Sequence, residues 1–153
     1  MADRPSTGHL AAWRSSLTAL TKIVDQLRAE LGAESQLALD WYEVLLLLRE
    51  SDDGLRMHEL ADAQLLSRSA ATRLVDRMAA AGLVARRPAE DDRRGTFVEL
   101  TPKGLAALRR AAPVHLRGIQ EHFAAHLSSD EAVVVAAAMD RIVAALDNGS
   151  PTA

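Results

Sequence analysis

The chain has 153 residues, a length that suits one domain with added oligomerisation helices, and its 48% hydrophobic and 25% charged content supports a buried core rather than a disordered chain. Net charge is −3 and cysteine is absent, which excludes disulfides, thiol redox sensing and thiolate metal sites. No apolar run approaches the ~20 residues of a membrane span, and the N-terminus lacks the basic-then-apolar order of a secretion signal, so a cytoplasmic protein without a membrane partner is expected.

Residues 1–7 are expected to form an arm. Beyond them Leu10, Trp13, Leu17, Leu20, Val24, Leu27 and Leu31 recur at steps of three and four. This is an a/d seam sustained for three heptads, with Arg14, Lys22, Asp25 and Arg28 on the opposite face. Gly32 is expected to end the helix. So regular a seam calls for a partner helix. Asp40 is predicted to cap a second helix, with Glu43 at the capping-box position and Leu39 and Val44 as the hydrophobic staple. "VLLLLRE" is apolar nearly all round, so this helix should be buried, and "SDDG" ends it.

"MHELADA" predicts a short helix. Ser67 is a good N-cap for the next, over Arg68–Ala81. Leu74, Val75, Met78 and Ala81 fall on its inner face, while Arg68, Ser69, Thr72, Arg73 and Asp76 fall on or beside the other. Gly82 sits where a left-handed C-terminal residue belongs. The turn between the two helices has the length found in a helix-turn-helix. "LVARR" and "TFVEL" predict two strands joined by the charged loop 88–95, a projecting hairpin. Thr101 then caps a helix that has Pro102 in its first turn and continues towards Leu127, with Pro113 expected to kink or interrupt it. Ser128 and Glu131 form a second capping box, opening a last helix to about Leu146 with Val134, Val135, Ala138, Ile142 and Leu146 on one side.

Bulk charge does not announce a nucleic-acid partner, but local charge does. From Ser67 to Arg94 there are seven arginines and four acids, a local excess of three positive charges without lysine. Phosphate contacts act within about 10 Å of screening length, so a local face is what counts. A helix can present small polar residues and arginine to base edges in a major groove. A hairpin can carry arginine to a neighbouring minor groove or to phosphates, where its planar fork bonds several acceptors. Arg94, exposed in a loop, has no stability role large enough to explain it. Arg93 shares that loop, and Arg86 and Arg87 are placed to meet phosphate or solvent.

"HELADAQLLSRSAATRLVDRMAAAGLVARRPAEDDRRGTFVELTPKG" resembles the winged helix-turn-helix core of the MarR (multiple antibiotic resistance regulator) family. The likeness is close over residues 57–104, and the flanking helices agree in number and order. It implies a mainly α fold with a small β-hairpin wing, a winged helix-turn-helix lobe over 39–104, and dimerisation helices over 8–33 and 105–147. It further implies a homodimer on double-stranded, palindromic operator DNA, in many members a repressor released by a small aromatic or phenolic effector. By the family's patterns Ser67, Arg68, Ser69, Thr72 and Arg73 face DNA, Arg77 bridges helix and wing, Asp92 orients Arg94, and Arg94 enters the minor groove. His58 departs from the pattern, standing where a Ser or Thr cap is common.

Aromatic residues are scarce, so Trp13 and Trp41 are candidates for the wall of an effector pocket as well as for core or dimer contacts, with His9 and Arg14 as anchors for a carboxylate. Glu121, His122 and His126 raise a metal-responsive alternative, since histidines at i, i+4 share a helical face that suits zinc. Two ligands bind weakly and the others cannot be named, so no metal or other cofactor is assigned. A protein-interaction module of the same fold would not need the arginine-tipped wing. A Gly-rich phosphate loop, a nucleophile elbow and HExxH are all absent, and no enzyme is expected.

Overall fold

A computed structural model describes residues 4–88 and 95–149. Asp92, Arg93 and Arg94 lie outside the described residues. Within them the order is α1 (Thr7–Ser35), α2 (Leu39–Glu50), β1 (Leu55–Arg56), α3 (Met57–Ala63), α4 (Arg68–Ala80), β2 (Val84–Pro88), β3 (Thr96–Leu100), α5 (Pro102–His122) and α6 (Ser129–Gly149). The fold is mainly helical with a small antiparallel sheet of order β1-β3-β2, and α3, α4 and the β2–β3 pair form the winged helix-turn-helix. No helix among the described residues is long and apolar enough to cross a membrane.

α1 does not stop at Gly32. It ends three residues later, where Gln36 takes the left-handed conformation at φ 57°. Glycine inside a helix costs about 1 kcal/mol, and burial of Leu27 and Leu31 just before it outweighs that. Ser35 Oγ then donates to the Leu31 carbonyl at 2.6 Å and accepts from the Leu37 N–H at 3.3 Å. Asp40 is not the cap of α2. Buried Leu39 is already helical, the N-cap is Ala38, and Asp40 falls in the first turn, where its charge suits the helix dipole. Nor does α3 need a hydroxyl at His58: the Glu59 carboxylate accepts from the Arg56 N–H at 2.7 Å, closing the helix two residues earlier.

Pro113 does not interrupt α5, which runs unbroken from Pro102 to His122. Pro113 faces solvent and so does Arg109, the residue whose carbonyl loses its helical donor, while Ala111 and Val114 beside them are buried and hold the helix in place. The helix closes with the Phe123 N–H on the Ile119 carbonyl, and a single 3-10 turn, Ala124–His126, follows. Ser128 and Glu131 make the expected reciprocal cap of α6.

The core gathers Leu31, Leu45, Leu60, Met78, Val98 and Leu108 from α1, α2, α3, α4, β3 and α5. The α1 seam is split by it. Leu27 and Leu31 are buried, whereas Leu10, Trp13, Leu17, Leu20 and Val24 are 38–63% exposed. Val134, Ile142 and Leu146 of α6 are likewise more than half exposed.

The junction between α4 and α5 explains the "TPKG" run. Gly82, at φ 75°, ends α4 in a left-handed turn, with the Gly82 N–H on the Ala79 carbonyl and the Leu83 N–H on the Met78 carbonyl. The carbonyls left over are met from α5. Lys103 Nζ donates to Ala81 at 2.6 Å, and the Thr101 hydroxyl donates to Gly82 at 2.8 Å while accepting from the Gly104 N–H at 3.0 Å. A Cβ at position 104 would lie 2.0 Å from the Leu83 carbonyl oxygen. Gly104→Ala should therefore push α5 off α4 and lower stability by about 1–3 kcal/mol, the usual cost of forced overpacking. Urea unfolding measures it, and an unchanged midpoint would show that the contact is not tight.

His115 of α5 lies against buried Tyr42 of α2, ring centroids 4.5 Å apart, and its Nδ1 is buried without a partner. Burial holds the imidazole below its ordinary value of 6.5, so the folded state binds its proton less readily than the unfolded state does. Stability then falls as pH drops below about 6.5. The melting temperature should decline between about pH 7 and 5, and His115→Phe should make that decline shallower. An identical pH profile for the variant would assign the loss to other groups.

Candidate nucleic-acid interface

α4 is built to show one polar face. Ser67 caps it, its Oγ accepting from the Ala70 N–H at 3.2 Å. Ala71, Leu74, Val75 and Met78 are buried, which leaves Arg68, Ser69, Thr72, Arg73, Asp76 and Arg77 exposed. All five side chains expected to face DNA therefore share one open surface, Ser67 included. Two hydroxyls on it are partly committed: Thr72 donates to the Arg68 carbonyl at 2.9 Å, and the Ser67 and Ser69 oxygens lie 3.2 Å apart.

Charge pairing divides the arginines. Arg86 on β2 reaches back to α4, where its guanidinium meets Asp76 at 2.5 Å and lies 3.5 Å from the Thr72 carbonyl. Arg87 ion-pairs with Glu99 across the β2–β3 ladder and lies over the Phe97 ring at 4.9 Å. Arg68, Arg73 and Arg77 have no carboxylate partner among the described residues. Arg77 makes no bridge from helix to wing there; that bridge belongs to Arg86 and Asp76.

Two solved structures from Streptomyces coelicolor match this arrangement over nearly the whole chain. AbsC, a MarR family transcriptional regulator, is 32% identical with a TM-score of 0.88, covering 96% of this chain and 99% of AbsC. Sco3205, a MarR family transcriptional regulator solved in complex with DNA, is 30% identical with a TM-score of 0.88, covering 99% of this chain and 94% of Sco3205. A sequence profile of the MarR family matches residues 35–95. The chain belongs to the MarR family. Its fold is that of DNA-binding transcriptional regulators rather than of enzymes. The HTH-type transcriptional regulator PecS of Dickeya dadantii is 24% identical over 103 residues, which span 66% of this chain and 62% of PecS.

The candidates for an effector pocket lie on α1 and α2. His9 and Trp13 line an open recess at the start of α1 with Arg4, Pro5 and Leu10, and Arg14 is exposed beside them. Trp41 is half-buried in α2, just past the other end of α1. At 1.5 Å per residue, Trp13 lies roughly 30 Å from that end, so one chain does not bring the two indoles together.

His122 and His126 do not share a helical face, because α5 ends at His122 and His126 belongs to the 3-10 turn. His122 Nε2 instead lies 2.7 Å from a Glu30 oxygen, and Glu121 is the third member of that group. Gln26 donates to the same Glu30 oxygen at 2.9 Å. These hydrogen bonds, that of Gln26 first, hold the Glu30 carboxyl below its ordinary range. The His122 Nε2 is thus engaged with Glu30, and Arg117 stands beside Glu121. The arrangement is that of a polar clasp between α1 and α5.

Sequence reasoning missed Arg86's partner. Asp76 lies four positions past Thr72 on the exposed side of α4, but its ten-residue separation from Arg86 carries no periodic signal. Asp76→Asn should release Arg86 and remove one negative charge from the presented face. DNA binding should tighten several-fold at low salt, with thermal stability falling by less than about 1 kcal/mol. Fluorescence anisotropy against salt concentration checks it; weaker binding by the asparagine variant would mean that the pair positions Arg86 rather than masking it.

Proposed function

We propose that two copies of this chain join through α1 and α6 and bind a palindromic operator as a repressor that a small aromatic molecule releases. The observation that carries this is the coexistence, on one chain, of an exposed apolar seam and an arginine face without carboxylate partners among the described residues. The seam residues Leu10, Trp13, Leu17, Leu20 and Val24 lie bare in water, and so do Val134, Ile142 and Leu146. A second chain that covers them gains on the order of 25 cal/mol for each Å² removed from water. A groove between α1 and the C-terminal segment, walled by Leu20, Ile23, Phe123, Val135 and Met139, offers a seat for the partner's apolar side chains.

Pairing by a two-fold axis makes the two α4 helices symmetric, so the DNA site is an inverted repeat with half-site centres about one helical turn apart, roughly 34–36 Å. In each half-site Ser67, Arg68, Ser69, Thr72 and Arg73 face the major groove. Arg94, oriented by Asp92, enters the adjacent minor groove, and Arg93 and Arg86 touch the backbone. An effector between the dimer helices and the DNA-binding lobe can contact Trp41 from one chain and His9, Trp13 or Arg14 from the other. It lowers DNA affinity only as far as it prefers a helix spacing that misfits the operator. The proposed compartment is the cytoplasm.

Two substitutions test the two halves of this proposal. Arg73→Ala should lower the ratio of affinity for the chain's own upstream DNA over random duplex by about ten- to a hundred-fold, as loss of a base contact does. An unchanged ratio would take Arg73 out of base reading. Leu20→Asp places a charge on a side chain that is half exposed in the single chain, so the monomer should keep its circular-dichroism spectrum. In a dimer the same charge is buried, and sedimentation should show monomers with operator binding lost. A Leu20→Asp protein that still sediments as a dimer would place the interface elsewhere.

A further inference from the structure

One rung of the sheet reads Arg56–Phe97–Arg87 across β1, β3 and β2. Both guanidinium groups lie over the central ring, Arg56 at 5.0 Å and Arg87 at 4.9 Å from its centroid. Their surroundings differ. Arg87 is balanced by Glu99. Arg56 has no carboxylate partner among the described residues, and Glu59, three positions on, is committed to the Arg56 backbone N–H. A half-buried arginine without a counter-ion is unfavourable in folding, and the ring compensates only in part. What the rung does achieve is to hold the guanidinium in one place.

That place is the wall of a recess. Arg56 and His58 line it from the start of α3, Arg68 and Thr72 from the first turns of α4, and Thr96 from the base of the wing. Among the described residues, no acidic side chain lines it. The Thr72 hydroxyl is already bonded to the Arg68 carbonyl, so the recess offers positive charge from two guanidinium groups more than hydroxyl donation.

We propose that this recess seats one phosphodiester of the DNA backbone, with Arg56 and Arg68 as its cationic ligands. The proposal rests on the reading above, in which α4 occupies a major groove and the wing the next minor groove. A single sugar-phosphate strand separates those two grooves. A protein with a helix in one and a hairpin in the other straddles that strand, and the recess is the hollow between α4 and the hairpin base. Arginine suits the position, since its fork can bond two phosphate oxygens while its face rests on Phe97. The contact is blind to sequence, so Arg56 sets affinity and register and leaves base preference unchanged.

The test is fluorescence anisotropy with a random-sequence duplex about two turns long, titrated from about 50 to 200 mM salt. Arg56→Gln should bind about five- to twenty-fold more weakly at 0.1 M salt, and its plot of log K against log salt should be shallower by about 0.9. Arg56→Lys should keep the wild-type slope with a smaller loss. Arg28→Gln, which removes the same charge from α1, should stay within about two-fold of wild type. If the glutamine variant melts early, Arg56→Met keeps the apolar stem over Phe97 and carries the same test. A folded variant with wild-type affinity and slope overturns the proposal, as does an equal loss in Arg28→Gln, which would make the effect one of net charge. A wild-type protein that binds no duplex even at 50 mM salt overturns the DNA-binding reading on which this rests.

Discussion

The first turn of α5 is bonded to the last turn of α4, and the presentation of the recognition surface depends on it. The carbonyls that α4 leaves unpaired at Ala81 and Gly82 are satisfied by Lys103 and Thr101. The absence of a side chain at Gly104 lets the Leu83 carbonyl sit against the helix. A helix end fixed by hydrogen bonds and backbone contact resists pivoting, which ties α4 to α5. α5 in turn lies along α1, held by the Glu30–His122 and Glu34–Arg117 pairs and by burial of Leu27 and Leu31. In the dimer proposed above, a change in how two chains meet along α1 and α6 would therefore alter the separation of the two α4 helices. Under that proposal the coupling would be mechanical, with no contact needed between effector and DNA-binding side chains.

Charge is handled differently on the two sides of that junction. On the sheet, arginine stiffens the wing base: Arg87 is paired with Glu99 and Arg86 ties β2 to Asp76. On α4, Arg68, Arg73 and Arg77 stand without such partners among the described residues. Exposed ion pairs contribute at most about 1 kcal/mol each, so stability gives little reason to withhold carboxylates from α4. Phosphate and base recognition does give one, because each intramolecular partner would have to be displaced before DNA could bind. A chain with net charge −3 can engage a polyanion if its positive charge is gathered on one face in this way.

The features legible in the sequence were those with local or periodic causes. Ser67 before an amphipathic run, Gly82 after it, and Thr101 with Pro102 each mark a helix end through bonds within a few residues, and the structure has all of them. The α1 seam was legible as a period, and its exposure in the single chain is why its regularity exceeds what one chain can bury. Gly32 and Pro113 misled because local preference was outweighed by tertiary contact: Leu31, Ala111 and Val114 are anchored in the core on either side of them. β1 is two residues long and pairs with a strand some forty positions later, which leaves no periodic trace. The Arg86–Asp76 bond and the Arg56–Phe97–Arg87 rung are likewise products of register, visible only once the strands are aligned. Family resemblance singled out residues that the fold leaves exposed on α4, and the fold separated the arginines paired with carboxylates from Arg68, Arg73 and Arg77.

In vitro selection from a pool of random duplexes tests the central claim most directly, because the operator need not be identified beforehand. After several rounds at near-physiological salt, the enriched sequences should share an inverted repeat whose half-site centres lie about 10 base pairs apart, the spacing of two symmetric helices in successive major grooves. Enrichment of a single unrepeated half-site would contradict the symmetric pairing of two chains. Recovery of no shared sequence, from a protein that still retains DNA at that salt, would contradict sequence reading by α4 altogether.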